Sequence, residues 1–101
     1  MIKLPSKIND DYEEIKQILP KDFGIRKKID IFVVTKNSVK TIILHITQRS
    51  RFLRKDADKI EEIYLLIQAR EKSESKIIII ESPLCSKAKM QLEESFWKVV
   101  L

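Results

Sequence analysis

The stretch KIIIIESPLCSKAKM, residues 76–90, carries the only cysteine of the chain. Cys85 follows an apolar run and Ser82-Pro83, an order typical of a strand that leads into a helix N-terminus, where nucleophiles and phosphates are often found. Such a position, with Lys87 close by, lowers the pKa of a thiol. However, His45 is the only histidine that could act as its base, and no glycine turn offers an oxyanion hole. We therefore predict a structural Cys85 and no catalytic residue.

Positive side chains are concentrated in two short stretches. RSRFLRK, residues 49–55, holds four cations and no acid, and KDFGIRKK, residues 21–28, holds four cations and one acid. Clustered cations neutralise phosphates, and an aromatic ring among them can stack on a base. The sequence thus predicts a nucleic-acid contact surface of Arg26, Lys27, Lys28, Arg49, Arg51, Phe52, Arg54 and Lys55. In the alternative, Phe52 and Leu53 anchor a solvated loop to the core, or the cations face an acidic protein.

The composition predicts one folded domain over residues 1–101. Hydrophobic residues make up 44% of the chain and charged residues 35%, with a single glycine, which favours regular elements over disorder. The net charge of +5 is compatible with a polyanionic partner. Apolar runs such as the four isoleucines at 77–80 are far too short to cross a bilayer, so we expect neither a membrane span nor a secretory signal. A single cysteine cannot form an internal disulfide, which predicts an intracellular location. One cysteine and one histidine are too few for a typical zinc site, and no cofactor is expected.

Periodicity and turn residues predict the order α-β-β-α-β-α-β. Asn9 or Asp10 is expected to cap a first helix through Leu19, and the turn KNSV to join a hairpin of strands 29–35 and 40–47. The remaining predicted elements are a helix, a strand buried on both faces, a helix that starts at Ser82-Pro83, and a last strand, over residues 57–70, 76–81, 83–95 and 97–101. We predict an α/β three-layer sandwich with a mixed four-stranded sheet and helices on both faces.

A hairpin followed by a helix and a βαβ unit is similar to the restriction-endonuclease-like fold. In PD-(D/E)xK nucleases of that family, an Asp and a Glu-x-Lys pair on the hairpin bind Mg²⁺ and activate water. Asp30 stands at the Asp position here, but His45-Ile46-Thr47 replaces Glu-x-Lys. These side chains are poor ligands for Mg²⁺, so the resemblance implies a degenerate relative, with Asp30 left as a weak metal candidate. The alternative is a small Mg²⁺-dependent nuclease with displaced residues, in which Asp30 joins Glu61 or Glu62 and Lys59.

A more specific resemblance covers about residues 26–101. Ile77 to Ile80, then Ser86-Lys87-Ala88-Lys89, and then Lys98-Val99-Val100-Leu101 resemble the N-terminal jaw domain of the fifth subunit of eukaryotic-type RNA polymerases. The resemblance implies a non-catalytic module that acts in transcription and contacts DNA or other polymerase subunits, in the nucleus. The alternative outside nucleic-acid biology is a plain protein-interaction domain.

Overall fold

The computed structural model describes residues 4–8 and 11–101, and an antiparallel hairpin forms one half of its sheet. Strands β2 (Asp30–Lys36) and β3 (Val39–Thr47) pair over their full overlap. Asn37 and Ser38 connect them with φ angles of 52° and 66°. Two successive residues at positive φ make the kind of tight turn whose twist matches the flanking strands. The predicted hairpin is therefore confirmed.

Two helical crossovers build the other half of the sheet. Helix α1 (Arg54–Gln68) leads from β3 to strand β4 (Ser75–Glu81), and helix α2 (Ser86–Glu94) leads from β4 to strand β5 (Lys98–Val100). The pairs β3–β4 and β4–β5 are parallel. Both crossovers step in the same direction across the sheet. Because parallel crossovers are nearly always right-handed, both helices lie on the same face of the sheet.

The first predicted helix is wrong, because the structure has a strand there. Strand β1 (Glu14–Ile18) pairs antiparallel with β2, placing Ile15 opposite Val34 and Ile18 opposite Ile31. A short 3-10 turn, Pro20–Phe23, follows it. The sheet consequently has five strands in the order β1-β2-β3-β4-β5 rather than four. The proposed caps Asn9 and Asp10 lie outside the described residues.

The sheet separates two apolar cores. On the helix face, the inward side chains of the strands pack against both helices and Trp97; the helical members are Ala57, Ile60, Ile63, Ile67, Ala88 and Leu92. On the other face, Phe32, Val34, Ile43 and Ile79 pack against Leu4. Within the described ranges this second face is covered by the N-terminal segment, where a helix was predicted. The interior strand β4, which lies between β3 and β5, is buried on both faces from Ile78 to Ile80, as predicted.

The second helix begins later than the sequence predicted. Its first residue is Ser86 and Cys85 is its N-cap, so Ser82 and Pro83 belong to the preceding loop rather than to the helix start. The carbonyl oxygen of Pro83 accepts a hydrogen bond from the backbone N–H of Phe52 instead. This contact ties the loop after β4 to the loop after β3.

Candidate nucleic-acid interface

Most of the polar residues singled out above lie at one end of the sheet, where strands β3 and β4 terminate. Strand β3 ends at Thr47 opposite Glu81, the last residue of β4, and β2 begins at Asp30 opposite His45. The loops after β3 and β4 each lead straight into a helix. The carboxyl ends of two parallel strands and the N-termini of both helices therefore meet at this edge, called here the carboxyl edge. Ligands of open α/β sheets commonly bind at such an edge.

Phe52 fixes the course of the loop that carries the cations. Its backbone forms a parallel bridge to Leu84, with N–H donated to Pro83 O at 2.7 Å and its own carbonyl accepting from Cys85 N at 3.0 Å. The Phe52 side chain is fully buried, whereas the neighbouring Arg51 is exposed. Its ring is therefore not available to stack on a base, and the loop-anchor interpretation describes it. The buried anchor directs the adjacent cations toward solvent.

The two basic stretches meet at the start of α1. Lys27 Nζ lies 4.0 Å from Asp56 Oδ1, and Asp56 Oδ2 also accepts the Leu53 N–H at 2.7 Å in the first turn of the helix. Lys28 lines a small surface pocket together with His45 at the carboxyl edge. We call the seven cations of these two stretches the basic edge: Arg26, Lys27, Lys28, Arg49, Arg51, Arg54 and Lys55.

Most of the positive charge of the basic edge is not neutralised within the described part of the chain. Lys27 reaches only Asp56, and Arg54 Nε donates to Gln91 Oε1 at 3.4 Å. The other members form no salt bridge with any described residue and are exposed; they are Arg26, Lys28, Arg49, Arg51 and Lys55. The edge thus presents cations that an anionic partner can pair with.

A histidine between two carboxylates lies beside these cations, on the face opposite the helices. His45 Nδ1 is 3.5 Å from Asp30 Oδ2, and His45 Nε2 hydrogen-bonds Glu81 Oε2. Lys7 Nζ approaches the other oxygen of Glu81 at 3.7 Å. The hydrogen bond from His45 is the main cause that lowers the pKa of Glu81, with the charges of His45 and Lys7 adding and desolvation opposing. Since both ring nitrogens are engaged, this arrangement joins strands rather than offering a free base.

The displaced metal site that the sequence allowed is not assembled. Glu61 accepts the indole N–H of Trp97 and lies 3.9 Å from Lys76, on the helix face of the sheet. Glu62 pairs with Lys59 at 3.3 Å on the same helix. The side chain of Asp30 shares the opposite face with Phe32, because alternate residues of a strand point the same way. Among the described residues, no cluster of three or more potential His, Cys, Asp or Glu ligands is placed to hold a metal ion.

Glu81 is the site residue that the sequence analysis missed. It ends the isoleucine strand β4, which runs parallel to and beside the strand of His45, so the two side chains meet at the same end of the sheet. The sheet order was needed to see it, since the contact depends on β3 and β4 being neighbours.

Cys85 lies next to the basic edge without a catalytic partner. The backbone N–H groups of Ala88 and then Lys87 lower the pKa of its thiol, burial opposes them, and the charge of Arg51 adds to the lowering. The thiol is half-buried. The one histidine, His45, already has both ring nitrogens engaged by Asp30 and Glu81, which agrees with a structural cysteine.

Comparison of the chain with protein-family models, with curated proteins and with solved structures finds no match. No helix within the described ranges is long and apolar enough to cross a lipid bilayer.

Proposed function

We propose that the chain is a non-catalytic module that contacts nucleic acid through its basic edge. The observation that supports this function is the meeting of residues 26–28 and 49–55 at the start of α1, marked by the 4.0 Å approach of Lys27 to Asp56. Two stretches separated by the whole hairpin thereby form one cationic surface. The buried Phe52 holds that surface in place.

The basic edge binds the phosphate backbone by releasing condensed counterions. Each phosphate neutralised by a lysine or arginine steepens the dependence of affinity on salt by a log–log slope of about 0.9 for duplex DNA. Because the Phe52 ring is buried, it adds no base stacking at this edge. Binding is therefore non-specific in sequence and weakens steeply as salt is added.

The order of elements supports a restriction-endonuclease-like fold as the finer description. A meander followed by two parallel crossovers places Asp30 directly opposite His45, the two positions where that family carries its catalytic residues. We propose a degenerate relative of these nucleases. Its most specific form is the RNA polymerase jaw domain that the sequence resembles, acting in transcription in the nucleus with DNA and polymerase subunits as partners.

A salt titration with duplex DNA tests the proposal. Arg49→Ala/Arg51→Ala removes two exposed cations, so the log–log salt slope should fall by about 2 and affinity at low salt should drop. Lys72→Ala/Lys98→Ala removes the same charge from outside the basic edge and should leave the slope nearly unchanged. Equal losses in both variants would mean that net charge alone, and not this edge, governs binding.

Two further measurements separate the related functions. Adding Mg²⁺ or Mn²⁺ to the same DNA should give no cleavage; cleavage abolished by Asp30→Ala would establish the nuclease alternative. Purification of the tagged chain from its native cells tests the polymerase role. A multi-subunit polymerase recovered with the wild type and lost with Arg49→Ala/Arg51→Ala would support both the partner and the surface.

A further inference from the structure

Phe96 combines a left-handed backbone conformation with a highly exposed side chain. It follows α2 with a φ of 69°, and its side chain is 88% exposed. Phe96 N–H donates to Glu93 O and Trp97 N–H donates to Leu92 O, each at 3.0 Å, which is the hydrogen-bond pattern of a Schellman helix end. Glycine usually occupies this left-handed position, and a bulky side chain there is strained. Strained residues of this kind cluster at functional sites.

Beside Phe96 lies a groove of about 420 Å³ whose lining includes Tyr64 and Lys76. The rings of Tyr64 and Trp97 meet edge to face with centroids 5.3 Å apart. Lys76 Nζ sits 4.4 Å and 4.8 Å from the two ring centroids, and Glu61 accepts the indole N–H. Tyr64 and Lys76, held by these contacts, lose little conformational freedom when a partner binds, and this lowers the free-energy cost of association.

The groove opens onto the β5 edge of the sheet. Among the described residues β5 pairs only with β4, and it begins opposite Ile77, so Ser75 and Lys76 have no strand beside them on that side. The edge continues through Val99 and Val100 to Leu101, which is 56% exposed.

The opposite edge of the sheet is guarded. Strand β1 exposes Glu14, Lys16 and Gln17, and Lys16 forms a salt bridge with Glu71. Exposed charge is a common device that prevents edge strands from pairing with other chains. On the β5 side Lys98 is the one exposed charge of the strand, and the groove beside Phe96 leaves room for a further strand.

We propose that an extended segment of a partner protein adds to β5 as a sixth strand and packs an apolar side chain against Phe96. Lys98 at this edge, unpaired among the described residues, favours a segment that carries an acidic residue opposite it. Lys76 already has Glu61 at 3.9 Å, and Glu74 accepts the Lys40 N–H at 2.8 Å. Lys98 forms no salt bridge with any described residue, so a carboxylate of the added strand pairs with it. Main-chain hydrogen bonds supply affinity, and the Phe96 contact supplies specificity.

A random-peptide display library selected on the whole chain tests this inference. Phe96→Gly serves as the comparison, because glycine suits the left-handed position and the variant keeps its fold. We expect enriched peptides with alternating apolar and acidic residues. Their synthetic forms should bind Phe96→Gly and Lys98→Glu about tenfold more weakly, and should protect the β5 amides from hydrogen exchange.

Other results would overturn the inference. It fails if no sequence is enriched, if the affinity is unchanged by Phe96→Gly, or if protection appears away from β5. Sedimentation of the chain alone gives the remaining outcome: a dimer that Phe96→Gly dissociates would identify a second copy, not a partner segment, as the occupant. None of these results depends on DNA binding at the basic edge.

Discussion

His45, two residues before the end of β3, and Glu81, the last residue of the neighbouring parallel strand β4, hydrogen-bond each other at the carboxyl edge. The same imidazole faces Asp30 at 3.5 Å, and Lys7 reaches Glu81 at 3.7 Å. One side chain thus connects β2, β3 and β4, and Glu81 extends the connection to the N-terminal segment. The cluster holds the sheet end from which the cations of residues 49–55 emerge.

Replacing Glu81 with glutamine should destabilise the protein at neutral pH and have little effect in acid. The pKa of Glu81 is lowered from its ordinary value of 4.5, chiefly by the hydrogen bond from His45. A carboxyl whose pKa is lower in the folded state adds stability above its unfolded pKa, and that stability is lost as the pH falls through the folded value. Urea unfolding of the wild type and Glu81→Gln should therefore give free energies that converge below pH 4.5.

Glu94→Gln is the matched control for this measurement. Glu94 is exposed and makes no salt bridge or side-chain hydrogen bond with a described residue. Its removal should leave the unfolding free energy almost unchanged over the same pH range. If both variants follow the wild-type curve, the contact between His45 and Glu81 does not stabilise the folded state.

Elements whose hydrophobic pattern is unambiguous were predicted correctly from the sequence. The four isoleucines at 77–80 have no alternation, which indicates a strand covered on both sides, and Ile78 to Ile80 are buried as expected. The apolar stripe of Ile60, Ile63 and Ile67 likewise identified α1. In these segments local pattern and tertiary environment agree.

Strand β1 shows where the pattern was misleading. Ile15 and Ile18 are three residues apart, which favours one face of a helix, but in a strand they point to opposite faces. Each isoleucine packs in a different core, Ile15 beside Val34 and Ile18 beside Ile31. A half-buried edge strand that contacts both cores therefore imitates helical spacing. Pairing with β2 decides the conformation, and that pairing is not visible in the segment itself.

The candidate site was predicted in part for a similar reason. The cations of residues 26–28 and 49–55 were identified by composition, but the burial of Phe52 depends on its bridge to Leu84 in the next loop. The His45–Glu81 contact depends on the same neighbouring strands. Both are consequences of sheet order, which residue spacing along the chain does not specify.

Enlarging Ala88 should destabilise the protein by forcing α2 away from its neighbours. Ala88 is fully buried in the helix-face core, where α1 and α2 pack together. Ala88→Leu adds side-chain volume to a closed space, which typically costs about 1–3 kcal/mol. Thermal or urea unfolding measures the loss. Lys87→Leu, at an exposed position of the same turn, should change stability by less than about 0.5 kcal/mol; similar losses in both variants would exclude an overpacking effect.

The Cys85 thiol should react at lower pH in the folded protein than in the unfolded chain. Its pKa is lowered mainly by the backbone N–H groups of Ala88 and Lys87, with a smaller contribution from the charge of Arg51. The thiolate is the reactive form, so a lower pKa shifts the rate profile to lower pH. Alkylation by iodoacetamide across a pH series, with and without urea, measures the shift. Arg51→Ala should reverse only part of it, and identical folded and unfolded profiles would contradict the assignment.

Replacing Phe96 with glycine should stabilise the folded protein by about 1 kcal/mol, because glycine adopts the left-handed conformation without the steric penalty of a side chain. The ring is 88% exposed, so its removal costs little packing. Phe96→Ala is the control: it removes the ring but keeps a Cβ at a φ of 69°, and should give no comparable gain. Urea unfolding of the three proteins measures the difference. If Phe96→Ala raised the free energy of unfolding as much as Phe96→Gly, the destabilisation would come from the exposed ring and not from the backbone. If Phe96→Gly lowered it, Phe96 would be shown to support the fold.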